Sequence, residues 1–321
     1  MKLRYSLAAI ISFLSLANCA QNNGSAQINI DYEVAVTNLN IPWGFTFLPN
    51  NSMLITEKNG KLIHFKNGTK TNIEGLPEIY VRGQGGLMDI QLHPDYKTNG
   101  WIYFTYASPE GEGNGGNTAL MRAKINNNTL IDKQLLYKAT PNTTRGQHFG
   151  SRIAFDNKGY LFFSIGERGD RDTNPQDITR DGGKIYRLHD DGSIPRDNPF
   201  VNVPNAKKAI YAYGVRNPQG LVINPKTGEI WEHEHGPQGG DEINIIKAGK
   251  NYGWPKISYG INYSGTKFTD YTALPGMEQP LHYWVPSIAP SGMAFVTSDK
   301  YPDWKGNVLV GSLKFLYLDN C

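Results

Sequence analysis

The strongest constraint on this 321-residue chain is a pattern that recurs along it: an apolar strand-like segment, a polar turn and a second strand-like segment. Five copies occur, at residues 44–65, 87–106, 151–167, 220–237 and 292–314. Their turns contain Pro49, Pro94, Asn157, Pro225 and Asp299, spaced by roughly 45 to 74 residues. Repeated units of this size predict an all-β fold, and in particular a β-propeller. A pair of β-sandwiches would also contain alternating strands, but it would not explain the repeated turn.

The charge balance excludes one class of partner. The chain has 32 Lys and Arg residues against 29 Asp and Glu residues, a formal charge of +3. Two of the basic residues, Lys2 and Arg4, precede the first acidic residue, Asp31. We therefore expect no nucleic-acid partner, because no excess of positive charge remains to bind phosphates.

The first residues have the order of an export signal. Residues 1–19 begin with basic side chains, continue with an apolar stretch too short to span a bilayer, and end in small and polar residues. Two processing routes are open. The sequence around Cys19 resembles a lipoprotein box, in which Cys19 is lipidated, and Ala17 also allows ordinary cleavage after it.

Residues 20–30 are then expected to form a polar tether and residues 31–321 a propeller domain. We expect the protein to be exported, either periplasmic or anchored by lipid at the cell envelope, with no other membrane attachment. Cys19 and Cys321 are the only cysteines of the chain, so the fold is expected to be held without disulfides.

Two glycine-rich clusters precede strand-like segments. Residues 82–86 (RGQGG) place Gln84, a donor and an acceptor, among glycines that allow a close approach of the backbone. Residues 145–150 (RGQHFG) place His148 at a strand entrance, where a neutral imidazole can accept a proton near neutral pH. The alternative for residues 82–86 is a plain glycine turn, and the alternative for His148 is a structural role.

Two further clusters carry charge and oxygen ligands. Residues 211–220 (YAYGVRNPQG) present Arg216 and Asn217 in a turn closed by proline, where a salt bridge within the turn is the alternative. His233 and His235 alternate along a strand and would suit a transition metal, but no third ligand has the right spacing. The carbonyl groups of residues 236 and 237, with Asp241 and Glu242, are oxygen ligands that suit calcium.

In this order, the clusters resemble the pyrroloquinoline quinone (PQQ)-dependent aldose sugar dehydrogenases of the soluble glucose/sorbosone dehydrogenase family. The resemblance extends from about residue 41 to residue 314. It rests on the segments IPWGF, GQGGLMDI, GQHFGSR, YGVRNPQG, EHGPQGGDEIN, NYGWP, SGMAF and GSLK. It implies a six-bladed β-propeller with the quinone at the mouth of the central channel. It also implies about 50 further residues after GSLK, so we expect the last blade to be incomplete here.

The resemblance also implies roles for individual residues. His148 is then the general base that takes the proton of the anomeric hydroxyl, while hydride passes to the quinone and a lactone forms. Arg216 would stabilise the developing negative charge. The cofactor would be bound by Gln84, Asn217 and Lys314, the last through a cofactor carboxylate.

Two calcium ions are implied as well. The carbonyl groups of Gly236 and Pro237 would hold a calcium ion that also binds the quinone, and Glu242 with the Tyr252 carbonyl would hold a second, structural one. The substrate implied is an aldose, and the natural electron acceptor stays open. Two other functions remain as alternatives: a calcium-dependent lactone hydrolase, and a non-catalytic propeller that binds a carbohydrate or a protein.

Overall fold

The computed structural model describes residues 33–321. The expected signal (residues 1–19) and tether (residues 20–30) therefore lie outside the described residues. Residues 38–321 form one compact unit, and the described residues 33–37 belong to a separate, first unit. In the first unit, the described positions form no strand, although the sequence pattern at residues 31–36 is strand-like.

The described residues form five antiparallel sheets, numbered here in chain order. Sheet 1 contains β1 (Pro42–Phe47), β2 (Met53–Glu57), β3 (Lys61–Lys66) and β4 (Thr69–Ile73). Sheet 2 contains β5 (Leu87–Leu92), β6 (Ile102–Ser108), β7 (Asn117–Asn126) and β8 (Thr129–Lys138). Sheet 3 contains β9 (Ile153–Phe155), β10 (Leu161–Ile165), β11 (Lys184–Leu188) and β12 (Ile210–Tyr213).

Sheet 4 contains β13 (Pro218–Ile223), β14 (Ile230–Glu234), β15 (Asp241–Ile246) and β16 (His282–Trp284). Sheet 5 contains β17 (Pro290–Phe295), β18 (Val308–Ser312) and β19 (Leu318–Asn320). A short helix, α1 (Tyr96–Asn99), and a single 3-10 turn (Pro302–Trp304) lie in loops. Within the described part of the chain, no helix has the length and apolar character needed to cross a bilayer.

Each of the five sequence repeats builds one sheet. The five turn anchors all lie between the first and second strands of their sheets. At the first of them, Asn51 adopts a φ of 62° and Ser52 donates from its backbone amide to Asn50 Oδ1 at 3.1 Å. Asparagine accepts this left-handed conformation more readily than most residues, so the turn is encoded locally.

Apolar side chains fill the space between consecutive sheets, as in a propeller. Leu54 and Leu62 of sheet 1 pack with Leu87 and Ile102 of sheet 2. Equivalent clusters lie between sheets 2 and 3, sheets 3 and 4, and sheets 4 and 5. The first strands contact one another in order: β1 with β5, β5 with β9, β9 with β13, and β13 with β17. These five first strands therefore lie at the centre of the propeller.

The expected number of blades is wrong for the described residues, which form five sheets rather than six. The physical reason is that each sheet requires its own strand–turn–strand unit, and the sequence contains five of them. The expectation of an incomplete last blade holds only in part. Sheet 5 has three strands where the other sheets have four, but those three strands pair with one another, with one bulge between Ser291 and Met293.

One arginine connects several first strands at this centre. The Arg152 guanidinium lies 3.5 Å from Asp89 Oδ1 on β5 and donates from Nε to the Gln219 carbonyl on β13 at 2.6 Å. Its Cζ lies 4.2 Å from the centre of the Trp43 ring on β1. Sheets 1, 2 and 4 are thus joined at a single side chain.

Candidate active site

The candidate site is a cleft of about 400 Å³ at one end of the propeller. The residues in its wall that matter most for the chemistry are His148, Glu167, Arg216, Pro237, Trp254 and Tyr263. Several of them either precede a first strand or follow a second strand. Because these two strands are antiparallel, the start of one and the end of the other meet at the same edge of the sheet. The topology therefore brings together residues that are distant in sequence.

His148 precedes β9, and Glu167 follows β10, which pairs with β9. The Nδ1 atom of His148 makes a short hydrogen bond with the Glu167 carboxylate, whose side chain is only 2% exposed. Burial lowers the pKa of His148, while the hydrogen bond to Glu167 acts in the opposite direction. The imidazole is therefore neutral near neutral pH, with Nδ1 protonated toward Glu167 and Nε2 free to accept a proton.

The backbone of His148, which precedes sheet 3, is held by a residue that precedes sheet 2. The Gln84 side chain accepts a hydrogen bond from the His148 amide at 2.7 Å. The glycines beside Gln84 permit this contact, because a Cβ on Gly83, whose φ is 57°, would lie 2.2 Å from the Gly146 carbonyl oxygen. The close approach expected from this glycine-rich loop is thus made to the loop that carries His148.

Arg216 is 6% exposed and lies against the cleft. Its Nη1 donates to the carbonyl oxygens of His235 at 2.8 Å and Gly236 at 2.9 Å, and its Cζ lies 5.3 Å from the Trp254 ring centre. The backbone amides of Arg216 and Asn217 both donate to the Glu234 carboxylate. The turn is therefore fixed by its neighbours in sheet 4, which leaves a rigidly placed cation beside the cleft.

The Asn217 side chain is buried and already engaged. Its Oδ1 accepts hydrogen bonds from the Gly150 amide at 3.2 Å and from Gln219 Nε2 at 3.3 Å. This contact ties the turn of sheet 4 to the loop that follows His148 in sheet 3. Asn217 thus stabilises the geometry of the site through its side-chain oxygen.

The loop after β14 brings backbone oxygens close together. A Cβ on Gly236 would lie 2.3 Å from the carbonyl oxygens of both Gly239 and Gly240, so no larger residue fits there. The Gly236 amide donates to Asp241 Oδ1 at 2.8 Å. Pro237 follows directly and lines the cleft. The result is a compact carbonyl-rich loop next to Arg216.

A set of acidic and amide side chains covers one face of β14 and β15. Glu232 lies opposite Asn244, and Glu234 lies opposite Glu242. Glu234 and Glu242, with Gly236, Tyr252 and Arg216, border a partly open space of about 10 Å³, close to the volume that a single water molecule needs. Burial raises the pKa of Glu234 to about 7 and raises the pKa of Glu232 and Glu242 well above the usual range.

Two oxygens of this face, Glu232 Oε1 and Asn244 Oδ1, are buried without a hydrogen-bond partner. Neighbouring carboxylates raise one another's proton affinity, and a hard cation would relieve that repulsion. In residues 33–321, no three His, Cys, Asp or Glu side chains converge as a metal cluster, so a cation here would need backbone carbonyl oxygens as well.

His233 and His235 have structural partners. The Nε2 atom of His233 lies 3.2 Å from the Gly292 carbonyl, and that of His235 lies 2.7 Å from the Pro290 carbonyl. Because a carbonyl only accepts, both imidazoles donate to β17. The pair does face the same way, as its spacing predicts, but it joins sheet 4 to sheet 5.

Lys314 follows β18 and so lies at the same end of its sheet, but it is not among the residues that line the cleft. Its side chain is exposed, with Nζ 5.0 Å from the Phe315 ring centre. Its amide donates to the Ile288 carbonyl at 3.2 Å. The role in cofactor binding that the resemblance implies for Lys314 stays a prediction.

Glu167 was missed from the sequence. The signal that would have found it is positional: it directly follows the second strand of the repeat that begins just after His148. Trp254 and Tyr263 of the cleft wall, and Arg168 behind the His148 loop, were also not assigned, since their places depend on loop packing rather than on a motif.

Known proteins resemble this chain over most of its length. The sequence profile of the family described as "Glucose / Sorbosone dehydrogenase" matches residues 39–321. The chain is 42% identical over 297 residues to "Aldose sugar dehydrogenase YliI" of Escherichia coli K12, covering 90% of this chain and 80% of that protein. It is 30% identical over 321 residues to "Quinoprotein glucose dehydrogenase B" of Acinetobacter calcoaceticus, covering 90% of this chain and 65% of that protein.

Solved structures give the same picture. The apo form of the soluble aldose sugar dehydrogenase of E. coli has a TM-score of 0.83 at 40% identity, covering 88% of this chain and 86% of that one. The PQQ-bound aldose sugar dehydrogenase of Streptomyces coelicolor has a TM-score of 0.72 at 27% identity, covering 90% and 83%. By profile, sequence identity and fold, this chain belongs to the glucose/sorbosone dehydrogenase family.

Proposed function

We propose that this protein oxidises aldose sugars at the anomeric carbon to lactones, with PQQ as its cofactor and calcium as its metal ion. The observation that carries the proposal is the buried His148–Glu167 pair in the wall of the cleft. A neutral imidazole backed by a carboxylate is a general base suited to a sugar hydroxyl. The names of the relatives, an aldose sugar dehydrogenase and a PQQ-bound enzyme, support this choice of chemistry.

The cleft has the chemistry that PQQ requires. PQQ is a planar quinone with three carboxyl groups. Arg145, Arg171 and Arg216 all line the cleft, and the Trp254 ring adds an aromatic wall. Arginine suits carboxylates because its planar guanidinium makes paired hydrogen bonds. We assign cofactor binding to Arg216, with Gln84, Asn217 and Lys314 as the further candidates carried over from the family.

The loop after β14 and the acidic face fit calcium, because every available donor is oxygen. We assign one ion to the carbonyl groups of Gly236 and Pro237, next to the cofactor. We assign a second to Glu242 and the Tyr252 carbonyl, because both residues border the small space and the unpartnered Glu232 oxygen lies on the same face of the sheet.

The protein's own part in the reaction is a proton transfer. His148 accepts the proton of the anomeric hydroxyl at Nε2, because Nδ1 is already held by Glu167. The Glu167 carboxylate then stabilises the imidazolium that forms, and this keeps the ring in one orientation throughout. PQQ, when bound in the cleft, would supply the acceptor for the hydride of the anomeric carbon, so that the sugar would lose one proton and one hydride and become a lactone. Arg216 supplies a fixed positive charge beside the reacting groups.

Reconstitution tests the proposal. The purified protein is mixed with PQQ and calcium, and the PQQ absorption and the reduction of a redox dye are followed after addition of glucose. We expect a changed PQQ spectrum and dye reduction that needs sugar, PQQ and calcium together. Absence of sugar-dependent dye reduction by the loaded protein would remove the dehydrogenase assignment.

The same experiment separates the alternatives. A calcium-dependent lactone hydrolase would open a lactone without PQQ, whereas a non-catalytic propeller would bind sugar and reduce no dye. The described site favours oxidation, because its central groups are an imidazole and a guanidinium rather than a set of carboxylates around an ion.

The location of the protein is a separate part of the proposal. We propose export to the periplasm or the outer side of the envelope, on the basis of residues 1–19. Cell fractionation of the parent and of Cys19→Ala distinguishes the two routes. An anchored parent and a soluble variant would indicate lipidation, whereas equal release of both would contradict it.

A further inference from the structure

Arg168 is a buried charge that the proposed mechanism does not use. The residue is 2% exposed, although arginine is rarely buried without a specific partner. Its Cζ lies 3.4 Å from the centre of the Phe149 ring, and its Nε has no hydrogen-bond partner. It does not line the cleft, so it cannot act on the substrate directly.

The Arg168 guanidinium instead holds the loop that leads to His148. It makes a short hydrogen bond to the Gln147 carbonyl, and Nη2 donates to the carbonyl oxygens of Arg145 at 2.9 Å and Gly116 at 3.2 Å. Hydrogen bonds from a charged donor are stronger than neutral ones, and in this buried place they do not compete with water. The peptide groups just before His148 are therefore fixed by one side chain.

Backbone geometry adds a second contact. The Arg168 amide donates to the His148 carbonyl at 3.2 Å. Both residues have left-handed backbones, with φ of 59° for Arg168 and 55° for His148. This conformation is costly for residues other than glycine and persists only where the surroundings impose it. The hydrogen bonds of Arg168, together with the contact of Gln84 with the His148 amide, are the surroundings that do so here.

Glu167 and Arg168 thus bind different parts of His148. Glu167 holds the imidazole through Nδ1, and Arg168 holds the main chain on both sides of the residue. The pair is itself anchored, because the Glu167 amide donates to the Arg216 carbonyl at 2.8 Å and Asn174 Nδ2 donates to the Glu167 carbonyl at 3.1 Å.

We propose that Arg168 is a positioning residue that fixes the orientation of the His148 imidazole toward Glu167. This inference rests on the proposed function of His148 as a base. Burial is the largest cause of the lowered pKa of His148, the hydrogen bond to Glu167 opposes it, and the charges of Arg216 and Arg168 contribute less. Arg168 therefore acts on His148 mainly through its hydrogen bonds to the loop.

The test uses two substitutions and one control. Arg168→Gln removes the charge and most of the donors, and Arg168→Lys keeps the charge with fewer donors. Arg187→Gln is the control, since Arg187 is also a buried arginine of sheet 3, but it binds Asn198 and Asp197 instead of the His148 loop.

The first readout needs neither PQQ nor sugar. The nitrogen chemical shifts of the His148 ring, which report the nitrogen that carries the proton, are measured by NMR in the metal-free protein, and the signals are assigned from their absence in His148→Gln. We expect the Nδ1-protonated ring in the parent, Arg168→Lys and Arg187→Gln, and a mixture of the two neutral tautomers in Arg168→Gln. Parent shifts in Arg168→Gln would overturn the proposal.

The second readout is steady-state kinetics of the loaded enzyme. We expect kcat of Arg168→Gln to fall about 10²-fold, the size of effect that a small misplacement of a catalytic group produces. The sugar KM should stay near that of the parent, and Arg168→Lys should recover part of the lost kcat. Equal losses in Arg168→Gln and Arg187→Gln would show a general structural role and reject the proposal. If the parent itself oxidises no sugar, the proposed function fails, and the NMR measurement of the His148 ring still decides the role of Arg168.

Discussion

Gln84 Oε1 accepts a hydrogen bond from the His148 backbone amide at 2.7 Å, although the two residues are 64 positions apart. The family resemblance assigns Gln84 to the cofactor, but its side-chain oxygen is here committed to the proposed base. The Gln84 amide nitrogen is the part that remains for a cofactor.

The first prediction follows from this contact. Gln84→Ala should lower kcat by roughly 3- to 10-fold, because one hydrogen bond of about 0.5–1.5 kcal/mol no longer holds the His148 amide. Gln84→Glu keeps an acceptor oxygen at this position and is the matched control. Kinetics with glucose at saturating PQQ measure both, and equal losses in the two variants would contradict the positioning role.

His148→Gln should remove most activity while the protein still binds PQQ. A positioned general base contributes about 10²–10⁴-fold, and glutamine cannot accept the proton. PQQ titration followed by absorbance checks binding, and dye reduction checks turnover. Near-parent turnover in this variant would exclude His148 as the base.

The pH dependence of kcat/KM gives a further check on His148. The base must be neutral, so activity is lost as the pH falls through its pKa. Because burial lowers the pKa of His148 from its ordinary value, the acidic limb is expected below pH 6.5. A limb that lies above that value would contradict the buried, neutral imidazole described here.

Calcium should stabilise the protein through Glu242 even without PQQ. Removing the ion leaves Glu242 and Glu234 facing each other in a buried place, and the bound ion adds about 2.7 kcal/mol at a concentration 100 times its Kd. Thermal melting with and without a chelator measures the effect. Glu242→Gln should abolish most of it, whereas Glu229→Gln, at an exposed position in the β13–β14 turn of the same sheet, should respond as the parent does.

His233 makes the protein sensitive to acid. Burial lowers its pKa to about 3, whereas the ring in the unfolded chain takes a proton near pH 6.5. Since the unfolded state then binds more protons, the free energy of unfolding should fall by about 1.4 kcal/mol per pH unit as the pH drops from 6.5 toward 3. Urea unfolding at several pH values measures the slope, and His233→Gln should flatten it. An unchanged slope in that variant would contradict the assignment.

The sequence predicted best what is encoded locally. Turn residues such as Pro49 and Pro225 act on their own neighbours, so the repeat located every first-to-second strand connection correctly. The side chains that contact one another across the fold were harder to predict. The imidazole of His148 depends on Glu167 through the register of β9 against β10, and Arg168 reaches its carbonyl groups through a loop packing that no short motif specifies.

The histidines of sheet 4 show the same limit. The alternation of His233 and His235 correctly predicted that the two rings share one side of a strand. Their donation to carbonyl groups of β17 depends on how sheets 4 and 5 pack, and metal binding was the nearest chemistry visible in one strand alone.

The contacts of Arg152 imply an order of events during folding. Its guanidinium joins strands from sheets 1, 2 and 4, and its Gln219 partner is 67 residues away. Contacts of such high sequence separation form slowly, after local hairpins such as β2–β3. During synthesis, Asp89 is exposed long before Arg152 and Gln219 have both left the ribosome. Pulsed hydrogen exchange should therefore show late protection of the Ile153 amide, which donates to Asp89 at 2.9 Å.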